Sequence, residues 1–273
     1  MKYTVIKPQE NCGMCGYLWQ TIRGIYHNPN KNYYIDFENS IYKSSNVLHG
    51  KTDNIWDHFF KQPYCEEKPI ASDIEKEVGI IFDNESEFVW SEIKPNTKEE
   101  IQRKRYKFNE IIKKYFILRE EMQDKIEDFY NKNFKDKRVL GVHFRGTDHP
   151  HKKPMDQYMT LVKEKLVNYD VLFVCTDEYE RYRLSQIVFP NKFISYGSIK
   201  SKNNNIPLHS DISMHPPQYG VRNNLDEYQR KIAEDVIIEA YLMSRVNFLM
   251  CCPDSNVNFL ARAINPELES VSL

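Results

Sequence analysis

The sequence lacks any apolar run able to cross a bilayer. Its longest, Val171–Cys175 and Phe248–Cys252, fall far short of the roughly 20 residues a spanning helix needs. It also lacks an excess of charge, with 38 Lys and Arg against 39 Asp and Glu and a net charge of −1. Nothing electrostatic therefore draws it to nucleic acid or to an anionic membrane. Low-complexity tracts are absent, which excludes wholesale disorder. The opening MKYTVIKPQE carries charge and proline where a secretion signal needs an apolar stretch. A soluble, cytoplasmic, folded protein is expected. At 273 residues the chain can bury two modest cores.

Cysteine is scarce and badly spaced for metal chemistry. The six are Cys12, Cys15, Cys65, Cys175, Cys251 and Cys252, expected as free thiols in a reducing compartment. Cys12 and Cys15 form a C-x-x-C, but zinc needs a second Cys or His pair at ligand spacing, which adjacent Cys251 and Cys252 do not supply. Small apolar filler is the better account of them, and a redox pair ranks little above zinc.

What is present is a repeated strand–loop–helix rhythm. Tyr3–Ile6 reads as a strand, Asn11–Gly16 as a glycine-bearing loop, Tyr17–Tyr26 as a helix and Tyr33–Phe37 as a strand. Asn54–Phe60 (NIWDHFF) reads as a short aromatic helix and Val78–Phe82 as a strand. Over residues 97–134, Phe108, Ile111, Ile112, Tyr115, Phe116, Met122, Ile126 and Tyr130 recur at helical spacing, for one long helix or two in tandem. The rhythm then resumes. Arg138–Phe144, Val171–Cys175, Lys192–Tyr196 and Val246–Cys251 are strands, while Met155–Val167, Glu178–Ile187, Glu227–Ser244 and Ser255–Ile264 are helices. The expected division is an α/β domain at 1–96, a helical connection at 97–135 and a second α/β domain at 136–273, with parallel sheets around one cleft. A long loop, Asn203–Tyr219, interrupts the second.

Chemistry-bearing residues gather at strand ends, where open parallel sheets bind ligands. The densest group is Gly141-Val-His-Phe-Arg-Gly-Thr-Asp148. His143 and Arg145 are two apart and so leave one face, and the guanidinium fork suits a phosphate or carboxylate. An Arg145–Asp148 pair closing a strand end explains the same residues equally well. Phe173–Glu178 ends in Thr176 and Asp177, which could instead cap a helix. Asp254-Ser-Asn256 precedes a helix, whose N–H groups can hold a phosphate or simply be capped. The Gly13/Gly16 loop sits where a phosphate-cradling turn would. Asp36-Phe-Glu38 resembles the D-x-D metal site of one glycosyltransferase class, although ordinary strand packing is the stronger account.

Together these segments resemble a different class, the GT-B glycosyltransferases of the fucosyltransferase superfamily, including the α1,6-fucosyltransferase and Nod-factor fucosyltransferase branches. His143-Phe-Arg145-Gly-Thr-Asp148 is similar to the family's H-x-R-x-T-D, Phe173–Glu178 to its T-D-[DE], and Glu239–Asn256 (EAYLMSRVNFLMCCPDSN) to its terminal S-S-[NQ] unit. Asn11–Gly16 and NIWDHFF resemble further segments of the family. The resemblance implies two Rossmann-like domains facing a cleft, with an acceptor-side domain first and a nucleotide-sugar-binding domain second. It implies an inverting, metal-independent glycosyltransferase that needs no cofactor and works on a UDP- or GDP-linked sugar and an oligosaccharide or glycan acceptor.

Carried over by position, Arg145 binds the β-phosphate with His143 beside it, and Asp148 orders the loop. Gly13, Cys15 and Gly16 close over the diphosphate, and Asp177, Glu239, Ser255 and Asn256 complete the donor site. His149, His215 and Tyr219 are the acceptor candidates.

The sequence departs from the family in two places. Gly146 stands where the α1,6-enzymes carry a second arginine, and His149-Pro-His-Lys-Lys153 replaces the Lys-x-x-x-Glu that supplies their base. The base is therefore expected from the first domain, with Asp73 the leading carboxylate among Asp36, Glu38 and Asp57, and His149 or His151 the alternative. GDP-fucose and UDP-xylose, the latter as in an algal-virus xylosyltransferase, both stay open as donors. A binding module without catalysis and a phosphate-ester hydrolase using His143 and Arg145 are the competing readings.

Overall fold

The computed structural model describes residues 1–8, 12–42, 54–80, 97–146, 154–202, 208, 225–252 and 255–272. Two parallel sheets organise them. In the first, β1 (Tyr3–Pro8) lies between β2 (Tyr33–Ile35) and β3 (Ile74–Ile80), in the order β2-β1-β3. The second has β4 (Val139–Phe144), β5 (Val171–Thr176), β6 (Phe193–Ile194), β7 (Phe248–Cys251) and β8 (Ser270–Ser272), in the order β6-β5-β4-β7-β8. All its pairs are parallel. That order runs outward from β4 in both directions, as in a dinucleotide-binding sheet, and makes β4/β7 the switch point.

The helices follow in chain order. They are α1 (Met14–His27), α2 (Trp56–Phe59), α3 (Lys98–Tyr115), α4 (Glu120–Asn133), α5 (Met155–Leu166), α6 (Tyr179–Val188), α7 (Leu225–Met243) and α8 (Asn256–Ile264). Strand alternation divides the second sheet between two cores. Leu140, Val142, Phe144, Leu172 and Val174 pack under α5 with Tyr158 and Val162. Val139, Phe173, Cys175, Leu249 and Cys251 join Ile126, Ile238 and Leu260 on the opposite face. That second core continues into Ile6, Leu18, Trp19 and Tyr33, so a single apolar cluster reaches from one sheet to the other.

The helical segment expected at 97–135 is two helices. A capping box starts α3, with Thr97 accepting from the Glu100 N–H and the Glu100 carboxylate from the Thr97 N–H. It ends because residues 116–119 pair with the strand-like end of α2. The Lys61 N–H donates to Ile117 O at 2.8 Å, and the Arg119 N–H to Phe59 O at 2.9 Å. Helix periodicity continued through this break, and only the partner segment interrupts it. α3 is also more than a connection: Asn109 Nδ2 donates to the last carbonyls of α8, Ala263 at 3.0 Å and Ile264 at 2.6 Å.

β2 and β6 are shorter than expected, at Tyr33–Ile35 and Phe193–Ile194, and two further strands differ more. β3 begins at Ile74, four residues before the expected Val78, because it pairs along all of β1 from Tyr3↔Ile74 to Pro8↔Ile80. β8 was not anticipated: Ser-Val-Ser has no apolar pattern and is a strand only by pairing with β7. The expected loop Asn203–Tyr219 lies outside the described residues except for Leu208.

Trp19 joins the two halves. Its ring stacks on Phe259 of α8 at 5.9 Å and meets Phe108 of α3 edge-on at 4.9 Å. Trp19→Ala is expected to lower unfolding free energy by about 3–5 kcal/mol in urea denaturation followed by circular dichroism. A single coincident transition is expected, since both sheets share that core.

Candidate functional site

At the switch point, the carboxyl ends of β4 and β5 border a cavity. His143, flanked on the sheet by Cys175 and Cys251, and Arg145, just beyond β4, both line it. His143 is buried and Arg145 partly so. Two helix starts form the adjoining wall: Gly13, Met14, Cys15 and Gly16 at α1, and Ser255, Asn256 and Val257 at α8. They approach closely, for a Cβ built on Gly16 would lie 2.9 Å from Cys12 Sγ and 3.6 Å from Asn256 Nδ2. Only a residue without a side chain fits there.

Neither helix start is capped by its own side chain. Gly13 is the N-cap of α1, and its first N–H, that of Met14, donates to Tyr42 Oη at 2.9 Å. Ser255 is the N-cap of α8, but its hydroxyl makes no capping bond. Ser255 Oγ is buried, with no hydrogen-bond partner among the described residues. A buried hydroxyl left so costs about 1–3 kcal/mol, a cost that a ligand oxygen would relieve. The positive ends of two helices and the Arg145 guanidinium thus converge on one space, which suits an anion.

Asp177 has a different role from helix capping. Its Oδ1 accepts the Gly146 N–H at 3.0 Å, while the N-cap of α6 is Glu178. A Cβ at Gly146 would meet Asp177 Oδ1 at 2.5 Å and the Glu178 Cβ at 2.6 Å. The missing second arginine therefore has a steric counterpart, since the β4 and β5 ends touch where its side chain would start. The loop after β6 is laced to the same place, the Ser201 N–H donating to Asp177 O at 2.7 Å.

Opposite the helix starts, α7 presents Asp235 and Glu239, one turn apart. Burial pushes both carboxyls above their ordinary range. Lys200 and then Ser198 oppose the push at Glu239, and Lys231 opposes it at Asp235. The Ile199 N–H donates to Asp235 Oδ2 at 3.1 Å, and Ser198 Oγ donates to Glu239 Oε1. Glu239 was legible in the sequence, and Asp235 could have been found as its neighbour at i−4. Ser198 and Ile199 carry no local signal. The cavity is polar in charge, cationic at the strand and helix ends and acidic along α7.

Of the expected donor residues, Gly13, Cys15, Gly16, Arg145, Asp177, Glu239, Ser255 and Asn256 all line this cavity, as does His143. Asp148, His149, His151, His215 and Tyr219 lie outside the described residues. Asp73 does not reach the cavity. It ends a short 3-10 turn (Ala71–Asp73) before β3, at the strand's amino edge. The sheet's carboxyl edge is a strand length away, roughly 20 Å at 3.3 Å per residue. A strand expected to begin at Val78 left room for a projecting loop, and the earlier start of β3 removes it.

The metal-like motif is also accounted for. Lys68 Nζ lies 3.2 Å from Asp36 Oδ2 and also pairs with Glu38, so an ammonium occupies the position between the carboxylates. Among the described residues no group of three His, Cys, Asp or Glu is arranged to hold a metal ion. All six cysteines are free thiols. Burial pushes the Cys12 and Cys15 thiols up to about 12, which keeps both protonated and unreactive at neutral pH.

No protein-family profile and no curated protein sequence matches the chain. Solved structures do. NodZ α-1,6-fucosyltransferase co-crystallised with GDP is similar over 96% of this chain and 92% of its own, at 17% identity and a TM-score of 0.54. NodZ from Bradyrhizobium is similar over the same shares at a TM-score of 0.53 and 17% identity. An Arabidopsis thaliana FUT1 mutant in complex with GDP is similar over 99% of this chain and 70% of its own, at 10% identity and a TM-score of 0.56. The chain has the GT-B fold of these fucosyltransferases, with two parallel α/β sheets facing a cleft.

Gly146→Ala, although a single methyl, is expected to destabilise the chain by about 1–3 kcal/mol through overpacking. Thermal unfolding monitored by calorimetry checks this. The matched substitution Gly197→Ala, where a Cβ meets nothing within 4 Å, is expected to leave the unfolding temperature nearly unchanged.

Proposed function

We propose that the chain is a glycosyltransferase that moves a sugar from a nucleoside diphosphate to a glycan hydroxyl, with GDP-fucose the favoured donor. The observation that carries this is the charge-divided cavity at the switch point. Its cationic end, Arg145 with two helix starts, matches a diphosphate, and its acidic end, Asp235 and Glu239, matches the hydroxyl and N–H donors of a nucleoside. The fold likeness supports the same reading, since the similar NodZ and plant structures hold GDP. No chain helix in the described residues is long and apolar enough to cross a membrane.

The transfer we propose is a single inverting displacement without a divalent metal. The acceptor oxygen bonds to the anomeric carbon as that carbon's bond to the β-phosphate oxygen breaks. The bonding pair leaves with the diphosphate, and a base takes the hydroxyl proton. Negative charge grows on the β-phosphate, where Arg145 and the positive ends of α1 and α8 are placed to meet it. Preorganised donors of this kind lower a barrier because they need not reorient during the reaction. Asp73 is not the base in this scheme.

Purified chain incubated with GDP-fucose and with UDP-xylose, with EDTA present, should release nucleotide from one donor in the presence of acceptor glycans. Donor binding without release would leave a binding module. Release of phosphate from simple esters without acceptor would favour a hydrolase. Arg145→Ala is expected to fold normally and to lose roughly 10²–10³ in turnover, measured by nucleotide release. Ser255→Ala is expected to separate stability from binding. It removes a buried unpartnered hydroxyl, so the unliganded chain should gain up to about 1 kcal/mol, whereas the thermal shift given by the nucleoside diphosphate should shrink.

A further inference from the structure

Behind the acidic wall lies a buried lysine that the proposed reaction does not use. Lys200 is 6% exposed, whereas Ser198, Ile199 and Glu239 face the cavity in front of it. Its Nζ donates to Ser198 O at 3.1 Å and also to Ser198 Oγ, and it lies 3.5 Å from Glu239 Oε1. Ser198 Oγ donates in turn to the same Oε1. Both contacts fall on one oxygen, so among the described residues Oε2 is the oxygen left for a ligand. A buried ammonium is tolerated only when paired, and here the pair is also the cavity wall.

We propose that Lys200 is a positioning residue that holds Glu239 by its Oε1 and turns its Oε2 toward the nucleoside of the donor. The inference rests on the nucleotide-sugar reading above. It adds a residue that touches no substrate and acts through a carboxylate that does. The other groups around Glu239 cannot replace it. Asp235 on the same helix pushes the Glu239 carboxyl up and has its own cation, Lys231. Cys15 of α1 and Cys175 of β5 face it as neutral thiols, both pushed up by burial. Arg145, at the cationic end of the same cavity, is the group committed to the diphosphate.

The sign of the pH effect follows. Burial already raises the Glu239 carboxyl, and Lys200 lowers it. Removing the cation raises it further, so the pH below which Glu239 is protonated, and stops accepting, moves upward.

The test is isothermal titration of the full chain with GDP and UDP on both sides of neutrality, between about pH 5.5 and 8.5. Lys200→Gln is expected to weaken binding of the preferred nucleotide about tenfold or more at neutral pH. Its affinity should fall off at a higher pH than that of the wild type. Lys200→Arg, which keeps the charge, should restore both affinity and profile. The double variant Lys200→Gln/Glu239→Gln should bind no worse than Glu239→Gln alone, and it is expected to fold even where the single variant does not, because it leaves neither partner of the pair buried and unmatched. Wild-type affinity and profile in Lys200→Gln, or a further tenfold loss in the double variant, would overturn the role of Lys200 while leaving the donor site intact. Failure of the wild type to bind either nucleotide would instead overturn the underlying reading.

Discussion

Two helix N-termini and one guanidinium share a single space, and that concentration of positive charge is what the rest of the molecule maintains. Such an arrangement is unfavourable by itself, because like partial charges face one another. It persists because the parallel sheets fix where α1 and α8 begin. A strand feeding a helix through a short loop aims the helix start at the strand's carboxyl edge, and the two sheets bring two such starts together. The apolar cluster running from Ile6 through Trp19 to Phe259 holds them there.

Close approach in this region depends on missing side chains. Gly16 lets α1 draw near Cys12 and Asn256, and Gly146 lets the β4 end meet Asp177 and Glu178. At Gly146 the backbone N–H is held by the Asp177 carboxylate. The cationic end of the cavity accordingly relies on one guanidinium and on backbone dipoles. The acidic side shows the complementary economy: Asp235 and Glu239 are each matched by one lysine and one further donor, so neither lies buried and unpaired.

The sequence made much of the fold legible because buried parallel strands and amphipathic helices have strong periodic signatures. Arg138–Phe144 and Val171–Cys175 became β4 and β5 with their ends nearly as expected. The helix at 97–134 was legible in kind but not in number, because its break is imposed by pairing with residues 59–61. β8 was illegible, since edge pairing alone makes Ser-Val-Ser a strand. The cavity residues at strand ends and helix starts could be found because local spacing puts them there. Asp73 was misjudged because β3 starts four residues earlier than its apolar pattern indicates, which leaves no loop to carry the carboxylate from the strand's amino edge toward the cavity.

By itself, then, the sequence determined which residues stand at carboxyl edges of parallel strands, and so the cationic half of the cavity. That follows from strand alternation and helix starts, which are local. Of the acidic half the sequence offered Glu239 alone, by resemblance, and only the tertiary structure decided what surrounds that carboxylate. Ser198, Lys200 and Asp235 meet Glu239 because the loop after β6 folds back against α7. Contacts across such sequence separations arise from the packing of layers, which no periodicity within either segment encodes.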